Sequence, residues 1–201
     1  MFIQIIQGRL SDEQRARGLM DRWVTHIMPA AEGWLGGTYG ITDEGMFVAV
    51  VRFESAETAR RNSARPEQGS WWAEMAECFD GEATFHDCDG AMMMLAGGSD
   101  QAGFVQVLQG RVKDRTKVQS LVEQSMPMLH EQRPEIIGAT IAIDDDGCFT
   151  ETVAFTSEDE ARMGEKKQMP SDMRELFQEE MAQLEDLIYL DLHHPRFLSP
   201  R

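Results

Sequence analysis

Apolar positions along the first half of the chain switch repeatedly between a strand period and a helix period. Residues 2–8 are β-rich and apolar on both faces, which predicts a strand covered on two sides. Ser11 and Gln14 form a capping-box signature. It opens a helix in which Ala16, Leu19, Met20, Trp23, Val24, Ile27 and Met28 recur at helical spacing. Residues 34–41 and 46–53 read as strands joined by the turn Thr42-Asp43-Glu44-Gly45, a hairpin signal. Ser55 is placed to cap a short helix running to Ser63. A second helix, expected from Ser70, puts Trp72, Met75, Ala76 and Phe79 on one face. A last strand covers about 82–89, with an extension through Met92-Met93-Met94 left open.

The same pattern then recurs. A shift of 102 residues sets Phe2-Ile3-Gln4-Ile5-Ile6-Gln7-Gly8-Arg9 against Phe104-Val105-Gln106-Val107-Leu108-Gln109-Gly110-Arg111, with five of eight pairs identical. About eighteen of 62 ungapped positions match, including Gly36/Gly138, Gly45/Gly147, Phe53/Phe155 and Ala59-Arg60/Ala161-Arg162. The chain is a tandem duplication. Its expected units are 1–95 and 104–201, joined by a linker over 96–103. Each unit reads β-α-β-β-α-β, the ferredoxin-like order, so the fold class is α+β. Such a sheet carries helices on one face only. Packing the two sheets face to face covers both bare faces and predicts an intramolecular pseudo-dimer, monomeric as a chain and open to further self-association.

Composition narrows the partners. A net charge of −16 repels phosphate backbones and anionic lipid, so neither nucleic acid nor membrane is expected. No apolar run approaches the roughly 18 residues of a membrane helix, and Met1 to Gln7 lacks a basic n-region, so no signal peptide is read. The three cysteines, Cys78, Cys88 and Cys148, lack C-x-x-C spacing; reduced thiols and a cytoplasmic location are expected, with no metal site. No phosphate loop, nucleophile elbow or dinucleotide fingerprint is present, and no cofactor is expected.

The Phe-x-Gln-x-x-Gln-Gly-Arg strand, the Asp/Gly hairpin, the Phe-x-Ser-x-x-x-Ala-Arg segment and the helix bearing Ser70-Trp71-Trp72-Ala73-Glu74-Met75 resemble the dimeric α/β-barrel superfamily. Within it, the chain resembles a fused two-copy group of proteins from high-GC bacteria, related to antibiotic-biosynthesis-type monooxygenases. The resemblance implies a barrel closed by the two sheets. It does not fix a reaction, because the superfamily also holds isomerases, haem-degrading enzymes and non-catalytic stress proteins.

Candidate chemistry follows from the contrast between copies. All four tryptophans, Trp23, Trp34, Trp71 and Trp72, lie in the first copy; the counterparts of the first two are Ser125 and Ile136. The resemblance implies that Asn62 holds a carbonyl or enolate oxygen while Trp72 stacks on a flat ring, the work of a cofactor-independent monooxygenase. Asn62 ending its helix, and tryptophans filling core volume, are the structural alternatives. Trp34 and Trp71 are candidate ligand-lining residues, Trp71 because Trp72 already takes the core-facing position. His86 is a candidate general base, against the alternative of a satisfied histidine. The haem-degrading arrangement is not expected, since no histidine lies between Trp71 and Phe85. Gln4 is either a ligand contact or, with Gln7 and Arg9, part of a symmetric set matched by Gln106, Gln109 and Arg111 and suited to a structural task such as cross-sheet bonding at the pseudo-dimer seam. The expected ligand is a small, flat, hydrophobic or aromatic molecule. A non-catalytic binding or stress protein and a purely structural pseudo-dimer are the alternatives.

Overall fold

The computed structural model describes residues 1–200. The first copy comprises β1 (Phe2–Arg9), α1 (Glu13–Arg22), β2 (Trp34–Ile41), β3 (Met46–Phe53), α2 (Ala56–Ser63), α3 (Pro66–Ala76) and β4 (Thr84–Asp89). A four-residue strand, β5 (Ala91–Met94), follows. The second comprises β6 (Phe104–Val112), α4 (Arg115–Gln132), β7 (Ile136–Ile143), β8 (Cys148–Phe155), α5 (Glu158–Glu165), α6 (Ser171–Met181), β9 (Leu184–His193) and the short β10 (Arg196–Leu198). This is the tandem ferredoxin-like fold, with two antiparallel sheets of five strands each.

The duplication extends to register. Phe2 opposes Phe53 in the β1–β3 pair as Phe104 opposes Phe155 in β6–β8. The same irregularity falls between Trp34 and Gly36 and between Ile136 and Gly138. Gly36 takes φ +124°, and a Cβ there would lie 2.6 Å from Arg52 Nη2, so only glycine suits this bulge.

Each sheet has one strand more than a ferredoxin-like unit supplies. Its fifth strand comes from the other copy: β10 pairs with β2, and β5 pairs with β7. The residues after β4 are therefore not a continuation of it. Gly90, at φ +81°, turns the chain out of the first sheet, and His194, at φ +58°, does the same after β9. Arg52, buried in β3, secures both exchanged segments. Its Nη1 donates to the Ala96 carbonyl and its guanidinium lies over the Phe197 ring, 4.9 Å from the centroid.

Alternation along the strands separates two cores. Ile3 and Ile5 of β1 meet Val50, Cys88 and Ala142 between the sheets, and Val105 and Val107 of β6 do the same with Val48 and Leu192. Polar residues tie this seam. Gln109 Nε2 donates to Gln7 Oε1 at 2.8 Å, joining two residues that the duplication itself makes equivalent. Arg9 and Arg111 each donate to a hairpin carbonyl, of Glu44 and Asp146 respectively.

Local details depart from the sequence reading. The cap of α1 is Asp12, whose side chain accepts from Arg15 N, rather than Ser11. Ser11 instead donates to the Cys78 carbonyl. The helix α3 begins at Pro66, four residues before Ser70, because proline suits the first helical turn. Its inward face is Trp71 and Met75, followed past its end by the buried Cys78 and Phe79, while Trp72 is half-buried and Ala76 exposed.

Candidate functional site

Between the helix-facing side of the first sheet and its helices lies a cavity with about 80 Å³ of water-accessible space. The alternation that sends Ile3 and Ile5 to the seam sends Gln4 and Ile6 into this cavity. Trp34, Asn62, Trp71 and Trp72 border it as well. Five of the six residues singled out from sequence therefore meet at one place. The sixth, His86, does not.

The tryptophans divide into wall and rim. Trp23 and Trp34 stand edge to face, with centroids 5.6 Å apart, and both are buried. Trp23 donates to Gln68 Oε1 at 2.9 Å. Trp71 donates to the Leu19 carbonyl at 2.7 Å. That bond fixes which face of α3 turns inward and makes Trp71, not Trp72, the core residue. Beyond Arg22, α1 gives way to a π-helical turn over Trp23–Ile27, a rare geometry that is frequent at functional sites. Trp72 packs against Phe79 and against the exposed Phe85, 5.1 Å between centroids for the latter. With Ser63 and Gln68 it forms the more open edge of the cavity.

Polar atoms facing this space are few. Trp34 Nε1 is buried with no hydrogen-bond partner among the described residues, and so is the Tyr39 hydroxyl. Burial pushes the Tyr39 phenol up to about 12, so it remains a donor. Tyr39 also borders a second cavity, and its phenol feels the charges of Arg196, Asp21 and Arg17 on that side. Asn62 is buried in α2, and its Oδ1 accepts from Arg65 Nη1 at 2.9 Å. Its amide N–H groups have no bonded partner among the described residues and are the groups left for a ligand oxygen. Gln4 is partly committed: its Nε2 donates to Asp87 at 2.9 Å, as Gln106 does to Asp191 at 3.4 Å in the second copy. The set is an apolar slot with N–H donors and no ionisable side chain inside apart from the phenol of Tyr39.

His86 lies on the seam face of β4, on the far side of the sheet from the cavity. Its Nδ1 is 2.9 Å from Asp144 Oδ2 in the second copy. Asp144 Oδ1 also accepts the backbone N–H groups of Asp146, at 3.0 Å, and Cys148, at 2.7 Å. Burial favours the neutral Asp144 carboxyl, yet the bonds from His86 and Cys148 outweigh it and hold the carboxyl below its usual range. His86, Asp144 and Cys148 are the one group of metal-type donors within 4.8 Å among the described residues. The carboxylate there is spent on turning the β7–β8 hairpin and docking it against the first copy. Sequence reasoning missed this pairing because Asp144 sits where the first copy has Thr42.

No family model matches the sequence, and no curated protein matches it either. Solved structures do. A candidate monooxygenase from Lactobacillus acidophilus superposes with a TM-score of 0.73 at 13% identity, covering 98% of this chain and 95% of that one. A second, from Fusobacterium nucleatum, gives 0.76 at 8% identity over 98% and 94%. An anthrone oxidase-like protein gives 0.68 at 11% identity over 100% and 96%. At these identities the likeness is one of fold: a fused, two-copy ferredoxin-like chain aligned along nearly its whole length.

Proposed function

We propose that the first-copy cavity binds a small, flat, largely apolar molecule bearing a carbonyl or enol oxygen, and that the protein is a monooxygenase-like enzyme needing no cofactor. The observation that carries this reading is the buried, unpartnered Trp34 Nε1–H on the wall of a cavity that Asn62 also borders. Buried polar groups without partners are uncommon and call for an occupant. An oxygen on the ligand, accepting from Trp34 or Asn62, would gain negative charge as the ligand's acidic C–H gives its proton to solvent at the open edge, and the donors would stabilise that charge. Trp72, half-buried at the open edge, is the side chain that would stack on a ring and swing to admit one larger than the present space. Solved proteins of the same fold described as monooxygenases or as anthrone oxidase-like make this chemistry the natural one to test.

A second reading, binding without turnover, is favoured by the lack of any ionisable base beside Asn62. Titration with anthrone under air separates the two, with tryptophan emission and dissolved oxygen followed together. Saturable quenching with oxygen uptake that Asn62→Ala abolishes supports the enzyme. Quenching without uptake supports a binding protein. Unchanged emission rejects both. Within this reading the functional unit is the stretch 1–95, completed by Leu198 of β10, which lines the cavity from the other copy.

A further inference from the structure

The second copy has a larger opening at the corresponding place, between its sheet and helices α4 and α6. It offers about 500 Å³ of water-accessible space. An adjoining cavity of about 90 Å³ shares Leu129, Glu151, Phe177 and Glu180 with it. Four tryptophans border the first-copy cavity, and the lining of this one holds none. Ser125, at the position of Trp23, borders the adjoining smaller cavity.

Its chemistry is also different. Glu151, on β8, occupies the position of Ala49 and is enclosed by surrounding protein; what surface it keeps faces the cavities it lines. Glu180 of α6 faces the same space, beside Ser125. Two arginines, Arg133 and Arg162, also border the larger cavity, but each is matched elsewhere: Arg133 by Glu135, and Arg162 by Glu158, Glu165 and Asp191. Glu165 and Asp191, both paired with Arg162, and Tyr189 complete the titratable lining. Neither Glu151 nor Glu180 has a cationic partner among the described residues. Around them the walls are apolar, with Leu108, Leu129, Val153 and Phe155.

We propose that this second-copy cavity binds a lipophilic amine, its apolar body against Leu108, Leu129, Val153 and Phe155 and its ammonium group between Glu151 and Glu180. An anion would be repelled, and a neutral apolar ligand would leave two enclosed carboxyls unmatched. A hard divalent ion takes six or more oxygen ligands, and among the described residues no group of three carboxylate oxygens converges in this space. The state of the carboxyls fits an incoming ammonium. Burial, with the charge of Glu180, pushes Glu151 up to about 8. Burial pushes Glu180 up to about 7, against a hydrogen bond from Ser125. A proton held by the pair at neutral pH therefore occupies the place the amine would take, and its release should accompany binding.

The test is calorimetric titration of the full chain at pH 7.5 with 2-phenylethylamine and its uncharged analogue 2-phenylethanol, in two buffers of different ionisation enthalpy. The amine is expected to bind one to one, with proton release, and the alcohol at least about tenfold more weakly, the usual margin of a charge-assisted bond. Glu151→Gln and Glu180→Gln should each weaken the amine about tenfold and leave the alcohol unchanged; the two lie on separate elements, so either serves if the other fails to fold. Trp72→Ala should leave amine binding intact, which keeps this result separate from the first-copy site. Equal binding of amine and alcohol, binding of neither, competition by calcium, or an amine affinity unmoved in the double glutamine variant would each overturn the proposal.

Discussion

Glu151→Gln makes the sharpest stability prediction. A carboxyl that titrates at about 8 in the folded protein, against an ordinary value of 4.5, is easier to bury neutral than charged. The folded state therefore holds this proton over a pH range where the unfolded chain has lost it. Stability is full below pH 4.5, falls as pH rises toward 8, and stays low above it. At about 1.4 kcal/mol per pH unit the full difference is about 5 kcal/mol. Glu151 opens onto a cavity and is coupled by charge to Glu180, so about half of that, roughly 2–3 kcal/mol, is the expected loss. Glutamine keeps the shape and never ionises. Urea denaturation of both proteins at pH 5 and pH 8.5 should find them within about 1 kcal/mol at the lower pH. At the higher pH the variant should be more stable by about 2–3 kcal/mol. His193, raised through its bond to Asp43 and a further one to Glu158, also loses its contribution as pH rises. It is common to both proteins, so only their difference is read. A difference that is the same at both pH values would refute the reasoning.

Other consequences follow from single contacts. Trp71→Phe removes the bond to the Leu19 carbonyl and should cost about 1–3 kcal/mol, read as a lower denaturation midpoint. Gln7 and Gln109, bonded across the seam, should show a coupling of about 1 kcal/mol in a double-mutant cycle, whereas Gln4 and Gln106, each bonded within its own copy, should show none. Arg52→Ala should speed amide hydrogen exchange in Ala91–Met94 and Arg196–Leu198 together, since one guanidinium holds the segments that carry both exchanged strands. Exchange that rises in only one of them would contradict that role.

The duplication and the ferredoxin-like order were legible because both are written in local pattern: identities at fixed offset, strand alternation and turn glycines. The seam glutamines were legible for a related reason, since polar residues kept at equivalent places in both strands must find partners. What escaped the sequence was non-local. Strands of four and three residues say nothing about which sheet they join, so the exchange of β5 and β10 could not be read from Met92-Met93-Met94 or Arg196-Phe197-Leu198. The orientation of α3 depended on a carbonyl of α1, which helical spacing alone does not see, so Trp71 rather than Trp72 took the core-facing position. Four tryptophans drew attention to the first copy, and their volume leaves it the smaller cavity. The larger one has no tryptophan in its lining, and an absent side chain gives no signal in the sequence. Glu151 did carry one: a carboxylate in a strand where the other copy has Ala49.

The central claim, that the first-copy cavity holds a flat ligand by its oxygen, is tested most directly by a crystal structure grown with anthrone. The account predicts a planar ring system against Trp72, with its oxygen within hydrogen-bond distance of Trp34 Nε1 or the Asn62 amide nitrogen. A ligand bound elsewhere on the chain, or a cavity that stays closed around its own tryptophans at saturating ligand, would contradict it.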